Sequence, residues 1–218
     1  MTAVGQNTMT STADAGIVFI VDDDASVRRG LGNLFRSAGL SVEAFGSAAE
    51  MEQSPRSEAA NCLVLDVRLP ITDGIEVQQH LTQIDRQIPI IFITGHADVP
   101  MTIQAMKGGA VDFFTKPVDG RAILAAVADA IDRDRTRRAR ESSIETLRAS
   151  FETLTPRERE VLLLVTSGLM NKQAAGEMGL QEITVKIHRG NIMRKMRAGS
   201  LPDLVRMADA LRLIRQKT

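Results

Sequence analysis

The sequence predicts two domains of different class: an α/β domain built on a doubly wound five-stranded parallel sheet, then an all-α domain of four short helices. Three observations carry that expectation. Five short apolar runs alternate with helical patterns through residues 17–133, the repeat that winds a parallel sheet. Residues 151–218 hold four helical segments and no strand pattern. The charge divides in the same way, with 10 Lys+Arg against 16 Asp+Glu in 17–133 and 17 against 10 in 134–218. An acidic front and a basic back suggest two tasks, with a polyanion as partner for the second.

Gly16–Val21 is a short buried strand that runs into Asp22-Asp23-Asp24. Asp24 is placed to cap a helix from near Ala25, with Val27, Leu31, Leu34 and Phe35 on one apolar face. Leu40–Phe45 is the second strand, and a weaker helix follows Ser47. The third is Cys62-Leu63-Val64-Leu65-Asp66, an uninterrupted apolar run of the kind buried on both faces of a parallel sheet. A helix carrying Ile75, Val77 and Leu81 follows from about Gly74. Pro89–Ile93 is the fourth strand, ending at Thr94-Gly95, and Gly108-Gly109 closes the helix after it. Val111–Thr115 is the fifth, ending at Lys116-Pro117, and an Ala-rich helix over 122–131, free to run on into the linker, completes the pattern.

In such a sheet every strand's carboxyl end lies on one edge, where open α/β sheets bind ligands. That edge gathers Asp22 and Asp23 from the first strand, Asp66 from the third, Thr94 from the fourth and Lys116 from the fifth. Singly, each reads as a cap, a surface charge or a turn; together they suit phosphoryl transfer to a carboxylate. Carboxylates without His or Cys ligands fit a hard ion such as Mg²⁺, which would offset repulsion between Asp66 and an incoming phosphate dianion. Asp66 is then the nucleophile, and a Lys ammonium and a Thr hydroxyl neutralise and bond the phosphoryl oxygens.

Residues 134–150 are charged, lack Pro and Gly, and read as a solvated helical linker. Thr155-Pro156-Arg157-Glu158 is a helix start with N-cap, Pro at the first helical position and a capping box. Asn171 begins a second helix ending near Met178-Gly179, Gln181 or Glu182 opens a third reaching Met196, and Leu201–Ile214 is the fourth. Two short helices split by a Gly-bearing turn, the later one basic, form a helix-turn-helix pattern. On a helical wheel Val185, Ile192 and Met196 fall within about 40° of one another. The opposite face carries Ile187, Gly190 and Arg194, bordered by Lys186 and Asn191, donors and a methyl suited to base edges. Lys172, Thr184, Arg189, Arg194, Lys195 and Arg197 are candidates for phosphate contacts.

The single cysteine, Cys62, excludes an intramolecular disulfide and a Cys-cluster metal site, and reads as a core thiol. No apolar run approaches the roughly 20 residues of a membrane span. Residues 1–16 lack a signal core and read as a disordered tail, so a cytoplasmic location is expected.

The motifs VDDD at 21–24, LDVRLPITDG at 65–74, ITGHAD at 93–98 and GGAVDFFTKP at 108–117 make residues 17–133 resemble the receiver domain of two-component response regulators. LTPREREVL at 154–162, NKQAAGEMGL at 171–180 and TVKIHRGNIMRKM at 184–196 make 151–218 similar to the LuxR-type helix-turn-helix of the NarL/FixJ class. The resemblance implies a flavodoxin-like receiver with Asp66 as phosphoacceptor. It implies Asp22, Asp23, Asp66 and the Arg68 backbone carbonyl as ligands of Mg²⁺ or Mn²⁺. Thr94 would be the switch hydroxyl, Lys116 the phosphate partner and Phe113 the aromatic that turns inward, with a cis Lys116-Pro117 bond. The implied partners are a sensor histidine kinase, double-stranded promoter DNA, a second copy when phosphorylated, and RNA polymerase. Gly190 departs from the longer side chain relatives often carry there, which costs about 1 kcal/mol of helix stability relative to Ala. Two rivals stay open on sequence alone. A phosphohydrolase would share the nucleophile but normally wants an acid/base Asp where Arg68 stands, and a protein-binding adaptor would leave the basic half merely solvated.

Overall fold

A computed structural model describes residues 16–54, 61–96 and 98–213. The expected tail at 1–16 lies outside them, apart from Gly16. The chain divides into two compact units, 1–138 and 139–218.

The first unit runs β1 (Ile17–Val21), α1 (Ala25–Ser37), β2 (Ser41–Phe45), α2 (Ala48–Gln53), β3 (Asn61–Asp66), α3 (Gly74–Gln83), β4 (Ile90–Thr94), α4 (Val99–Lys107), β5 (Asp112–Thr115) and the start of α5 (Gly120–Glu152). The sheet is parallel throughout, in the order β2-β1-β3-β4-β5. The order reverses at β1, which opens a crevice at the carboxyl ends of β1 and β3.

The inner strands β1, β3 and β4 are apolar at every central position because helices cover both faces. Val18, Ile20, Cys62, Val64, Ile91 and Ile93 pack with Leu31 and Phe35 of α1 and with Ile123, Val127 and Ile131 of α5. The alternate residues Phe19, Val21, Leu63, Leu65 and Phe92 pack with Met51, Ile75, Val77, Leu81 and Ala105 from α2, α3 and α4. Strand periodicity of two assigns each residue to its layer. Cys62 is buried here as expected, and burial pushes its thiol pKa up. After each of β1 to β4 the loop is led into its helix by a capping side chain: Asp24, Ser47, Asp73 and Asp98 accept the backbone N–H of Ser26, Glu50, Ile75 and Met101.

The linker is helical, as its residues imply, but it is not solvated throughout. The Ala-rich helix runs on through the helical linker, so that α5 is one helix of 33 residues. No Pro or Gly interrupts it after Gly120, and acidic residues precede arginines by three or four positions, an order that supports a helix. Asp129 meets Arg133 at 2.6 Å and Asp132 meets Arg135 at 3.5 Å. Its first linker turn is not solvated: Asp134 is 1% exposed and takes Arg137 at 2.5 Å and Arg138 at 2.7 Å. The first compact unit runs to Arg138.

The second unit contains α6 (Pro156–Thr166), α7 (Asn171–Met178), α8 (Glu182–Met196) and α9 (Leu201–Ala210). Its core includes Val161, Leu162, Val165, Ala174, Ala175, Val185, Ile192, Met196 and Leu204. The capping box forms as expected, with Thr155 N–H donating to Glu158 Oε2 at 2.8 Å and Glu158 N–H to Thr155 Oγ1 at 3.3 Å. Gly179, at φ +64°, turns the chain from α7 toward α8 in a left-handed conformation that favours glycine. α9 ends at Ala210, where Leu211 caps it and Arg212 turns at φ +55°; the expected end, Ile214, lies outside the described residues.

Candidate metal centre and nucleic-acid interface

Strand register assembles the sheet-edge pocket. Val21 pairs with Leu65, so Asp22 and Asp66 leave the sheet side by side. Asp66 pairs with Ile93 and Thr94 with Thr115, which brings Thr94 and Lys116 to the same edge. Lys116 N–H donates to the Thr94 carbonyl at 2.8 Å.

Asp22 is fully buried, Asp66 is 4% exposed, and Asp23 faces solvent. One oxygen from each of these carboxylates lies within 4.8 Å of the others. That spacing and donor set fit one hard divalent cation, so these three side chains could hold it. Lys116 Nζ donates to Asp22 Oδ2 and to Asp66 Oδ2, both at 2.6 Å. The other oxygens accept main-chain N–H groups, Asp22 Oδ1 from Asp24 at 2.9 Å and Asp66 Oδ1 from Arg68 at 3.0 Å. Burial pushes the Asp22 carboxyl above its ordinary range, although Lys116 and the Asp24 N–H pull the other way. Burial also works against the Lys116 ammonium, but its bonds to Asp22 and Asp66 outweigh that and raise its pKa. Lys116 is therefore firmly charged and occupies the pocket as its counter-ion.

The Thr94 hydroxyl is buried and bonds within its own loop, donating to the His96 carbonyl at 3.2 Å and accepting its N–H at 3.3 Å. Phe113 is half-buried, its ring 6.3 Å from that of Phe92. The Lys116-Pro117 bond is cis. Arg68 begins the loop after β3, bridged to Asp73, and Gly74 N–H donates to the Val67 carbonyl at 2.7 Å. A Cβ at Gly74 would lie 2.5 Å from the Asp66 carbonyl oxygen, so only glycine fits there. Neither that clamp nor Arg28, whose NH1 donates to the carbonyls of Asp22 and Asp23, is expected from the sequence. A glycine starting a helix and an arginine inside one carry no distinguishing signal.

On the second unit, the exposed side of α8 carries Lys186, Ile187, Gly190 and Arg194. Ile187 is 60% exposed, and Ile183, one turn earlier and absent from the expected contacts, is 58% exposed. A Cβ at Gly190 would meet nothing within 4 Å, so that position is open space. Thr184, Arg189 and Asn191 are half-buried, and Lys172 and Arg197 are exposed. Arg189 donates to Asn171 Oδ1 at 3.1 Å and Arg194 to Asn191 Oδ1 at 3.2 Å. Lys195 differs from the rest: it turns inward, donating to Glu158 Oε2 at 2.7 Å and to the Thr153 carbonyl at 3.0 Å. Its charge is already compensated inside the fold, which weakens its standing as a phosphate contact.

A carboxylate pocket suited to accepting a phosphoryl group, on a chain that also carries a basic helix-turn-helix, defines a class of protein: a phosphate-responsive DNA-binding regulator. Comparison with known proteins agrees. Residues 18–128 match the response regulator receiver domain, and residues 152–208 match the bacterial regulatory proteins of the luxR family. Nodulation protein W from Bradyrhizobium diazoefficiens is 56% identical over 207 residues, covering 95% of this chain and 91% of that protein. Response regulator protein TodT from Pseudomonas putida is 45% identical over 198 residues, covering 91% and 87%. The solved structure of the response regulator StyR is 48% identical with a TM-score of 0.81, covering 89% of this chain and 98% of that one. The chain belongs to the NarL/FixJ class of response regulators, which join a receiver to a LuxR-type DNA-binding domain. It is a transcriptional regulator and not an enzyme, which removes the phosphohydrolase and adaptor rivals. Its domains imply a sensor kinase and DNA as partners. Among the described residues no helix is long and apolar enough to cross a membrane.

Proposed function

We propose that Asp66 accepts a phosphoryl group from a sensor histidine kinase and that this controls promoter binding through α8. The carrying observation is the meeting of three carboxylates and Lys116 at register-matched strand ends. A carboxylate oxygen of Asp66 forms the new P–O bond as the P–N bond of the kinase phosphohistidine breaks, and the electron pair stays on the imidazole nitrogen. Lys116 moves from Asp66 Oδ2 to a phosphoryl oxygen, and the Thr94 hydroxyl leaves its own loop to bond another. Phe113, half-buried at the edge strand, turns inward with it, a local charge event biasing a bistable element. Asp22, Asp23, Asp66 and the Arg68 carbonyl would hold Mg²⁺ or Mn²⁺, which when bound supplies charge to offset phosphate repulsion.

The receiver extends from Ile17 to about Arg138, where the first compact unit ends. The DNA-binding domain begins near Phe151, and the helix between is their link. Lys186, Ile187, Asn191 and the opening at Gly190 face base edges, while Lys172, Thr184, Arg189, Arg194 and Arg197 position the helix on phosphates. The phosphorylated form pairs with a second copy on two half-sites in the cytoplasm and contacts RNA polymerase.

The test is incubation with acetyl phosphate and Mg²⁺, reading hydroxylamine-sensitive label and binding to the chain's own promoter region. Label is expected to disappear in EDTA and return with Mg²⁺, and operator affinity to rise only when label is present. Label that survives EDTA would remove the metal from the reading; affinity indifferent to label would remove the coupling.

Lys116→Met separates the lysine's two roles. With the counter-ion gone from between Asp22 and Asp66, Mn²⁺ is expected to bind about tenfold tighter. Phosphoryl transfer is expected to slow about 10²-fold, since a cation aimed at the developing charge is lost. Weaker Mn²⁺ binding in this variant would contradict a competition between ammonium and metal.

A further inference from the structure

We propose that Arg28 is a positioning residue for the acidic pocket, gripping the turn that presents Asp22 and Asp23 to a divalent cation. The inference rests on the metal-site reading above. Arg28 ends the first turn of α1, directly after the three aspartates, and is half-buried. Its NH1 donates to the carbonyl of Asp22 at 2.6 Å and to that of Asp23 at 2.9 Å. A guanidinium beside aspartates commonly forms a fork with a carboxylate. Here both bonds go to successive main-chain oxygens, so the carboxylates are left to the pocket.

The grip matters unequally for the two aspartates. Asp22 has other anchors: its N–H donates to the Phe45 carbonyl at 3.3 Å, and its carboxylate is held by the Asp24 N–H and Lys116. Asp23 is exposed, and among the described residues its carboxylate has no hydrogen bond. The direction in which its side chain leaves the backbone is set by the peptide planes on either side, and Arg28 bonds the carbonyl of both. One side chain therefore orients the most exposed of the three candidate ligands without touching the ion.

Charge and position predict opposite signs. A guanidinium near the pocket repels a cation through space, so if charge were its main effect, removing it would tighten binding. If it acts by holding the turn, removing it loosens binding, and loss of an outer-shell partner typically lowers metal affinity about 10–100-fold. The experiment titrates Mn²⁺ into the full chain by electron paramagnetic resonance, comparing wild type with Arg28→Ala, Arg28→Gln and Arg28→Lys. Thermal midpoints measured without metal serve as the fold control. Arg28→Ala is expected to bind Mn²⁺ at least about tenfold more weakly, and Arg28→Lys, which keeps the charge and a donor, to recover part of the loss. Equal or tighter binding by Arg28→Ala, or a lowered midpoint with unchanged affinity, overturns the proposal. If Arg28→Ala does not fold, Arg28→Gln decides by the same criterion, since it keeps much of the volume. A wild-type chain that binds no Mn²⁺ would fail the metal-site reading itself, a result distinct from failure of Arg28 as its organiser.

Discussion

Asp66→Asn is expected to abolish acyl-phosphate labelling and the phosphate-dependent gain in promoter binding. The substitution is nearly isosteric, and the Arg68 N–H that donates to Asp66 Oδ1 at 3.0 Å still finds an amide oxygen. What is lost is the anionic nucleophile, because an amide oxygen is too weak to attack phosphorus. Lys116 keeps one carboxylate partner, Asp22 at 2.6 Å, so the pocket retains its counter-ion. The variant should therefore fold, bind DNA at the unphosphorylated level and ignore acetyl phosphate. Of the other pocket carboxylates, Asp22 is fully buried with both oxygens bonded, which leaves Asp23 as the only exposed alternative. Undiminished labelling of Asp66→Asn would shift the chemistry there.

Lys195→Met should produce a clear loss of stability in the DNA-binding unit. Glu158 is 3% exposed and its carboxylate takes the Lys195 ammonium at 2.7 Å together with the Thr155 N–H at 2.8 Å. Burial opposes ionisation of Glu158, but these bonds outweigh it and hold its pKa below the ordinary value. Removing the lysine takes away a charge-assisted hydrogen bond close to solvent, a change that typically costs about 1.5–3 kcal/mol. Urea unfolding at neutral pH measures it, and a change under about 0.5 kcal/mol would mark the pair as an ordinary surface contact. The pH dependence has a fixed sign. Because the folded pKa of Glu158 is lowered, its contribution is present above the usual carboxylate value and is lost as pH falls through the folded value. Wild type should lose stability on that acid limb, and Lys195→Met should show a shallower one. The same variant sorts structure from recognition: a phosphate contact would reduce the slope of log affinity against log salt by about 1, whereas an internal pair leaves it unchanged.

Much of this molecule is readable from its residues. A run such as Cys62–Asp66 has only one good solution, a strand covered on both faces, and five of them separated by helical patterns leave little choice but a parallel sheet. The helix starts at Asp24, Asp73 and Thr155 are likewise local, since a side chain and an N–H two or three residues on decide them. Val185, Ile192 and Met196 share a wheel face and are all buried.

The linker's partial burial was not readable, because a charged stretch looks solvated until its partners are known. Asp134 is buried, and Arg137 and Arg138, three and four residues along the same helix, pair with it. Lys195 and Glu158 stand far apart in the chain, and nothing local distinguishes an inward lysine from one awaiting a phosphate.

The sequence alone therefore determined which strands form, where they end and which polar residues they deliver, because backbone periodicity and capping act over a few residues. Only the tertiary structure decided which partner each cation takes: Lys116 between Asp22 and Asp66, Arg28 on two carbonyls, Lys195 on Glu158. Such pairings depend on register and helix packing, which join residues that the chain itself keeps apart.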